Sequence, residues 1–441
     1  MHQKTLPPEV DFEVDLLFPE TSLPDLTRLV QRHGDCFQVS TRNQNQPTYV
    51  LSHPDFARHV FATHHKHYGR GAAADKMAIL LGKGILVSDG DVWKQERKVL
   101  QPMFHDEVLA GFLQRMEDTN DSLLEHWQSL CNRQEPMDLV QEMNRLTMTF
   151  NLNALFGDDT PRVLEQGGEA FFDRITEGSM GSLESNLHFI RDFRAMSRLL
   201  DEIIEQRKQL HAPGRDFLGM LIQSRYRSTG KALPNQQIID EIMVLVTAGH
   251  ETVATALKWI WLSLARHPEI AASVKREVMP LADLNRLEFA DLESLTYTRQ
   301  VIQETLRLYP SIWVITRKTH SEDEIGGYYT APGTHILIAP YIIHRHPEFW
   351  KDPETFDPER FAPGWEQRYP KYAYLPFSHG PRRCLGDGLS IWQILYHLAR
   401  VLPRFDLTYL TGHTDAVHPG FVLRTKQACL MQIHSTTAAT L

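Results

Sequence analysis

The sequence predicts a mainly α fold with a small β-rich region. Three observations carry this. The stretch from about Asn235 to Arg266 is long, apolar and free of proline, as one helix requires. Asp118–Phe156 and Phe171–His211 are further amphipathic segments of helical pattern. Alternating, strand-like patterns are confined to short stretches, Gln38–Ser52 and Glu324–Ala339.

In chain order, Gln38–Ser52 reads as a hairpin turning at Asn43-Gln44-Asn45, and His53–Val60 as a helix opening behind Pro54. Gly69–Gly90, rich in glycine and alanine, reads as a mobile loop. From Asp91 a helix follows, with Trp93, Arg97 and Leu100 at helical spacing. His211-Ala212-Pro213-Gly214 ends the Phe171–His211 helix, and Pro268 ends the long apolar one. Turns at Gly326-Gly327 and Pro332-Gly333 divide the second strand region. Leu389–Leu402 is a last apolar helix. The β-rich part is expected mainly at about 36–60 and 312–340, inside a single domain spanning 1–441.

The 441 residues carry a net charge of -9 and a pI near 6.2, which argues against a nucleic-acid partner. A hydrophobic content of 42% supports a substantial core. No linker, repeat or low-complexity tract stands out. Met1–Leu26 carries acids and prolines rather than an apolar run of about 18 residues, so no membrane anchor or signal peptide is expected. Cys36, Cys131, Cys384 and Cys429 lack zinc-like spacing, and a reducing cytoplasm is the simplest setting.

One of these cysteines sits in an unusual context, Phe377-Ser378-His379-Gly380-Pro381-Arg382-Arg383-Cys384-Leu385-Gly386. Gly380 and Gly386 permit tight turns, and Pro381 stiffens the loop. Arg382 and Arg383 favour the thiolate, as does the N-terminus of the helix that follows. A thiolate so placed is one of the ways a protein holds haem iron.

Phe377, Gly380, Arg382, Cys384 and Gly386 fit a Phe-x-x-Gly-x-Arg-x-Cys-x-Gly pattern that resembles the haem-binding signature of the cytochrome P450 family. Ser378 departs from it, standing where a second glycine is common. Glu304-Thr305-Leu306-Arg307 resembles the family's Glu-x-x-Arg motif. Pro358-Glu359-Arg360-Phe361 resembles the element whose arginine completes a buried structural triad, here Glu304, Arg307 and Arg360. Ala248-Gly249-His250-Glu251-Thr252 resembles the family's oxygen-side helix motif, and Trp93 with Arg97 its Trp-x-x-x-Arg element. The resemblance runs from roughly Thr21 to Ile433; the N-terminus looks like that of the soluble, bacterial-type members, while the Glu359-Arg360-Phe361 and Glu251-Thr252 motifs are closer to the long-chain, eukaryote-like branch than to the short bacterial one.

The resemblance implies a cytochrome P450-like fold and a haem-thiolate monooxygenase. Cys384 is the implied iron ligand of haem b. Trp93, Arg97, Ala248, Arg317, Phe377, Arg382 and Gly386 are the implied cofactor contacts, the arginines meeting the haem propionates. Thr252 is the implied hydrogen-bond donor toward dioxygen and Glu251 the proton-relay acid. His250 is expected to turn away. Leu86, Ala248, Trp313, Val314 and Phe421 are expected to line the substrate side, with a lid at Glu177–Ser185. The implied substrate is an apolar small molecule, a secondary metabolite or lipid. No flavin or nicotinamide fingerprint follows Leu441, so a separate ferredoxin or flavodoxin with its reductase is expected. Lys94, Lys98 and Arg383 are candidates for its docking. The alternatives are a peroxide-driven haem-thiolate enzyme and a non-enzymatic haem-binding sensor.

Overall fold

The computed structural model describes residues 5–16, 22–71, 74, 77–78, 81–176, 183–211, 213–284, 286–410 and 416–436. The expected lid at Glu177–Ser185 lies outside the described residues except for the start of a helix at Leu183. The principal helices are α1 (Leu23–His33), α2 (Pro54–Arg58), α3 (Gly90–Leu100), α4 (Leu113–Arg133), α5 (Leu139–Phe156), α6 (Leu183–Gln209), α7 (Asn235–Arg266), α8 (Pro268–Val278), α9 (Thr296–Leu308) and α10 (Asp387–Val401). The strands are β1 (Glu9–Val14), β2 (Cys36–Thr41), β3 (Thr48–Leu51), β4 (Tyr68–Arg70), β5 (Met137–Asp138), β6 (Ile315–Thr319), β7 (Asp323–Ile325), β8 (Tyr328–Thr330), β9 (His335–Ile338), β10 (Phe405–Tyr409), β11 (Val417–Pro419), β12 (Leu423–Thr425) and β13 (Leu430–Ser435).

The chain forms two compact units. One comprises Met1–Ile79, Tyr297–Cys384 and Asp415–Lys426; the other comprises Leu80–Thr296, Leu385–Thr414 and Gln427–Leu441. No linker marks the division, because both are assembled from stretches that alternate along the chain.

The first unit is built on a mixed sheet of order β1-β2-β3-β9-β6-β4. β2 and β3 form the expected hairpin, turning at Asn43, whose φ of 58° is one that asparagine tolerates. β3 lies parallel to β9, with Val50 opposite Leu337. β9 and β6 are antiparallel, and so are β6 and β4. One face of the sheet buries Val14, Phe37, Val39, Val50, Trp313 and Leu337; the other buries Tyr49, Leu51, Phe61, Ile336 and Ile338. β1 and β4 were not expected. Glu9–Val14 has the alternation of a half-buried strand, and Tyr68–Arg70 is too short for periodicity to register.

The second unit is mainly helical. The Asp118–Phe156 segment is two helices rather than one, because Gln134 closes α4 in the left-handed region at φ 54° and Asp138 caps α5 through Val140 N at 2.9 Å. α7 spans the expected residues. A buried polar chain joins α4, α7 and α10: Trp261 Nε1 donates to His397 Nε2 at 2.9 Å, and His397 Nδ1 meets Asn120 Oδ1 at 3.0 Å. Burial holds the His397 imidazole down at about 3, so it is neutral. With Nε2 accepting, Nδ1–H donates to Asn120. β10, β13 and β5 form a small antiparallel sheet.

Gly69–Gly90 is not simply a loop. Tyr68–Arg70 pairs with β6, and residues 82–88 are fixed by side chains of α7.

Candidate functional site

The cysteine loop is shaped by its own unit. Cys384 N donates to Phe377 O at 3.0 Å, closing the loop between them. Gly380 stands at φ 76°, and a Cβ there would lie 1.8 Å from the Phe61 carbonyl oxygen. Only glycine fits, on both counts. Ser378, the departure from the family pattern, also occupies the left-handed region at φ 57°, and its buried hydroxyl finds no hydrogen-bond partner. That conformation explains why glycine is common there.

Cys384 is the exposed cysteine; Cys36 and Cys429 are buried. Burial pushes the Cys36 thiol up to about 12, which makes it inert as a ligand. Phe377 and Arg382 are half-buried. Gly386, the N-cap of α10, has an ordinary φ of -92°, and a Cβ there would meet nothing nearer than Phe104 at 3.7 Å. Neither backbone strain nor packing against the protein therefore requires glycine at 386; a flat group lying over the loop would.

Behind the loop lies the expected triad, fully buried. Arg307 makes a bidentate pair with Glu304, Nε to Oε2 at 2.7 Å and Nη2 to Oε1 at 2.8 Å. Arg360 Nε stands 3.4 Å from Glu304 Oε1, and Asp357 N donates to the same oxygen at 2.8 Å. Desolvation raises the Glu304 carboxyl above its ordinary value despite the opposing pull of Arg307.

His344 connects this triad to the loop, and sequence reasoning missed it. Leu375 N donates to His344 Nε2 at 2.7 Å. Nδ1–H therefore donates to Arg307 O at 3.0 Å. Burial holds the imidazole down at about 3, which keeps it neutral and fixes this tautomer. Tyr374 OH adds a second tie, donating to Gln303 O at 2.9 Å. In sequence, His344 is one histidine of a His-Arg-His run with no distinguishing motif.

Arg317 lies on β6, nearly buried, with its guanidinium carbon 5.2 Å from the Phe61 ring centroid. In the second unit, Trp93 is buried and Arg97 half-buried on α3, whose first turn is capped by Asp89 through Gly90 N at 2.8 Å.

α7 shows the most informative pattern. From Ile238 to Leu264 every residue is buried except Leu245, Ala248, Gly249 and Thr252. These four share one helical face. Thr252 Oγ donates back to Ala248 O at 2.7 Å. On the adjoining flank α5 supports the helix: Asn151 Nδ2 donates to Val246 O at 2.7 Å, and Thr147 Oγ lies 2.9 Å from His250 Nδ1. His250 thus turns away from the open face, as expected. A Cβ on Gly249 would crowd Asn151 Oδ1 at 3.2 Å, so the glycine admits close approach of α5. Asn151 was legible only as a polar residue within an apolar helix. Glu251 is buried, with 5% of its surface exposed.

Of the expected substrate contacts, Leu86 and Val314 are half-buried and Phe421 is exposed at the β11–β12 turn. Trp313 is a correction. It is wholly buried among Val10, Leu26 and Leu337, and its Nε1 donates to Gly420 O at 2.8 Å. An indole at 0% exposure has no face left for a ligand. Bulk suggested a lining role; the apolar core claimed it instead. Lys94, Lys98 and Arg383 are exposed, and Lys94 is paired to Asp91 at 2.8 Å.

An exposed thiol on a protein-shaped loop, a nearly buried strand arginine and an uncovered glycine suit haem. Among the described residues, no helix is long and apolar enough to cross a membrane. A family model for cytochrome P450 matches residues 16–430. Cyclooctatin synthase of Streptomyces melanosporofaciens is 30% identical over 393 residues, covering 86% of this chain and 84% of that protein. Cyclooctat-9-en-7-ol 5-monooxygenase of the same organism is 30% identical over 395 residues, covering 87% and 84%. Pentalenene oxygenase of Streptomyces avermitilis is 26% identical over 387 residues, covering 85% of each chain. Among solved structures, retinoic acid-bound cyanobacterial CYP120A1 superposes with a TM-score of 0.84 at 25% identity, covering 98% of this chain and 100% of that one. The chain belongs to the cytochrome P450 family and is an oxidoreductase that incorporates oxygen into its substrate.

Proposed function

We propose that this enzyme oxygenates an apolar cyclic terpenoid, taking one oxygen atom from dioxygen and electrons from a separate ferredoxin or flavodoxin. The observation that carries this reading is the open face of α7. Leu245, Ala248, Gly249 and Thr252 offer a narrow apolar strip with one hydroxyl and no charge, which suits a hydrocarbon skeleton. The names of the Streptomyces relatives point the same way, to pentalenene and to cyclooctat-9-en-7-ol.

The Cys384 thiolate would hold the iron of haem b, and Trp93, Arg97, Arg317 and Arg382 would meet its propionates. Phe377, Ala248 and Gly386 shape the space around the ring. Thiolate-held haem, when bound, supplies the centre at which dioxygen is reduced and one oxygen atom passes to substrate. Two electrons and two protons are consumed for each oxygen inserted, the second oxygen leaving as water. Thr252 presents its hydroxyl on the open face and orders water there. Glu251, on the same turn, passes protons inward from solvent. Leu86, Val314 and Phe421 contribute apolar surface to substrate. Exposed Lys94, Lys98 and Arg383 attract an acidic electron donor. The number and spacing of the cysteines suit a reducing cytoplasm.

The test is an optical titration of the ferric enzyme with cyclic terpene hydrocarbons and alcohols, fatty acids and aromatics. The terpenoids are expected to shift the haem absorption band. Turnover with a ferredoxin system under labelled dioxygen should then place one labelled oxygen in the product. A shift produced only by fatty acids, or turnover only with peroxide, would overturn the reading.

A further inference from the structure

At the start of α7 lies an acidic cluster that the oxygen-side chemistry does not use. Asp240, Glu241 and Glu96 are each at most 5% exposed. Burying three carboxylates together is costly unless each has partners. Two of them have backbone partners in one short segment: Lys83 N donates to Asp240 Oδ2 at 2.9 Å, and Ile85 N donates to Glu241 Oε2 at 3.0 Å.

The segment is shaped for this contact. A Cβ on Gly82 would lie 2.4 Å from Asp240 Oδ1, and one on Gly84 would lie 2.8 Å from the Asp240 carbonyl oxygen. Val87 N and Ser88 N both bond back to Gly84 O, at 3.0 and 3.1 Å. Ser88 Oγ bonds to Glu96 on α3. Gln237 closes the arrangement, its amide nitrogen donating to Glu96 Oε1 at 3.0 Å and Glu241 Oε1 at 2.8 Å. Ile85 is thereby turned inward and buried, while Leu86 is left half-exposed.

We propose that Asp240 and Glu241 are positioning residues for substrate selectivity, latching residues 82–88 to α7 so that Leu86 is held as a fixed apolar wall. This rests on the reading that Leu86 meets substrate. The latch acts through backbone amides, so it specifies the wall's position whatever side chain stands at 86.

The latch is also sensitive to protons. Burial, together with neighbouring Glu96 and Asp240, pushes the Glu241 carboxyl up to about 8, against the opposing bonds from Ile85 and Gln237. Tyr226 faces the same acids and is itself raised, first by burial and then by Glu96 and Glu241. The exposed Lys83 is the cation on the segment. An acid whose value is raised in the latched state and ordinary when released favours the latch while protonated. The latch therefore weakens as pH rises from the ordinary carboxyl range toward 8, by at most about tenfold per pH unit.

The test uses the haem-loaded enzyme and the variants Glu241→Leu, Glu241→Gln, Leu86→Ala and Leu86→Phe. Hydrogen exchange reads the latch directly. Protection of the peptide covering 82–88, corrected for intrinsic rates, is expected to fall about tenfold or more in Glu241→Leu, with helices elsewhere unchanged. Its decline with pH in the wild type should flatten in Glu241→Gln, a neutral side chain that still accepts from Ile85. Unchanged protection in Glu241→Leu, or an unchanged pH slope in Glu241→Gln, would overturn the latch. Should Glu241→Leu not fold, the Glu241→Gln slope decides alone.

Optical titration with cyclooctat-9-en-7-ol and pentalenene, with imidazole as a small iron ligand that needs no wall, reads selectivity. The terpenoid affinities are expected to weaken about tenfold in Glu241→Leu with imidazole unaffected, and Leu86→Phe should change them too. Leu86 variants without effect would refute Leu86 as a substrate contact, and the selectivity role with it. Leu86 variants with an effect beside a silent Glu241→Leu would refute the positioning role alone. Failure of both terpenoids to bind wild type while another probe class does would refute the terpenoid reading; the latch then stands or falls on exchange and on that other class.

Discussion

Arg307 offers the sharpest test of how the cysteine loop is supported. Its guanidinium is 0% exposed and makes two bonds to Glu304 and one each to the carbonyls of His344, Pro353 and Thr355, at 2.9, 2.7 and 3.1 Å. It also lies 5.3 Å from the Trp350 ring centroid. Arg307→Ala leaves the Glu304 carboxylate buried with Arg360 and Asp357 N alone. Breaking such a pair costs about 3–5 kcal/mol. Three carbonyls also lose their donor, each worth about 1 kcal/mol where water fills the gap. The expected loss is about 6–8 kcal/mol, or a fall in Tm of roughly 6–8 °C at about 1 °C per kcal/mol for a chain of this length. Arg307→Lys keeps the charge but not the fork and should lose about half as much.

The pH dependence gives a second handle. Without Arg307, the Glu304 carboxyl is raised further above its ordinary 4.5 by burial. The folded variant then keeps a proton that the unfolded chain and the folded wild type release, so the deficit should grow as pH rises above the raised value Glu304 has in the wild-type fold. Thermal unfolding followed by far-ultraviolet circular dichroism at pH 5.5 and 8 reads both effects. A Tm within about 2 °C of wild type, or a deficit larger at the lower pH, would refute the reasoning.

Cys384→Ser should bind haem weakly and lose the thiolate-type spectrum of the reduced carbon monoxide complex; a retained spectrum would remove Cys384 as ligand. Thr252→Ala deletes the hydroxyl on the open face of α7, and product formed per electron pair should fall on the order of tenfold to a hundredfold while the substrate-induced spectral shift is kept. Coupling equal to wild type would refute its role. Gly380→Ala should destabilise the chain by about 2–5 kcal/mol, combining a strained φ with overlap on the Phe61 carbonyl; an unshifted urea midpoint would contradict the loop geometry. Ser378→Gly removes strain and an unpaired hydroxyl and should stabilise by about 1 kcal/mol, and a lower midpoint would count against it.

What could be read from the chain followed signal length. α7 was legible to its ends because Asn235–Arg266 carries many periods of one pattern. The β2–β3 hairpin was legible because Asn43 supplies a turn residue. β4 has three residues and offers no period at all, and β5 has two. The cysteine loop and the triad were legible because they are local motifs with strict spacing. His344 and Asn151 were not. Each works through hydrogen bonds to backbone atoms far along the chain, His344 to Arg307 O and from Leu375 N, Asn151 to Val246 O, and a backbone partner leaves no mark on sequence. Trp313 failed for a related reason: a large apolar side chain beside a site and one inside the core are the same letter. Gly82 and Gly84 were read as looseness, whereas they mark close approach to Asp240.

The closure of the loop by Cys384 N on Phe377 O, and its seating on the Phe61 carbonyl at Gly380, bears on how the cofactor is acquired. A ligand that must order its own site has part of its affinity consumed by the lost freedom of the chain. Here the protein's own carbonyls confine the backbone around the thiol, so a variant that frees the loop should add an ordering cost to cofactor binding. For Gly380→Ala the heat-capacity change of haem binding should then become more negative, by the additional term that marks a segment folding as it binds.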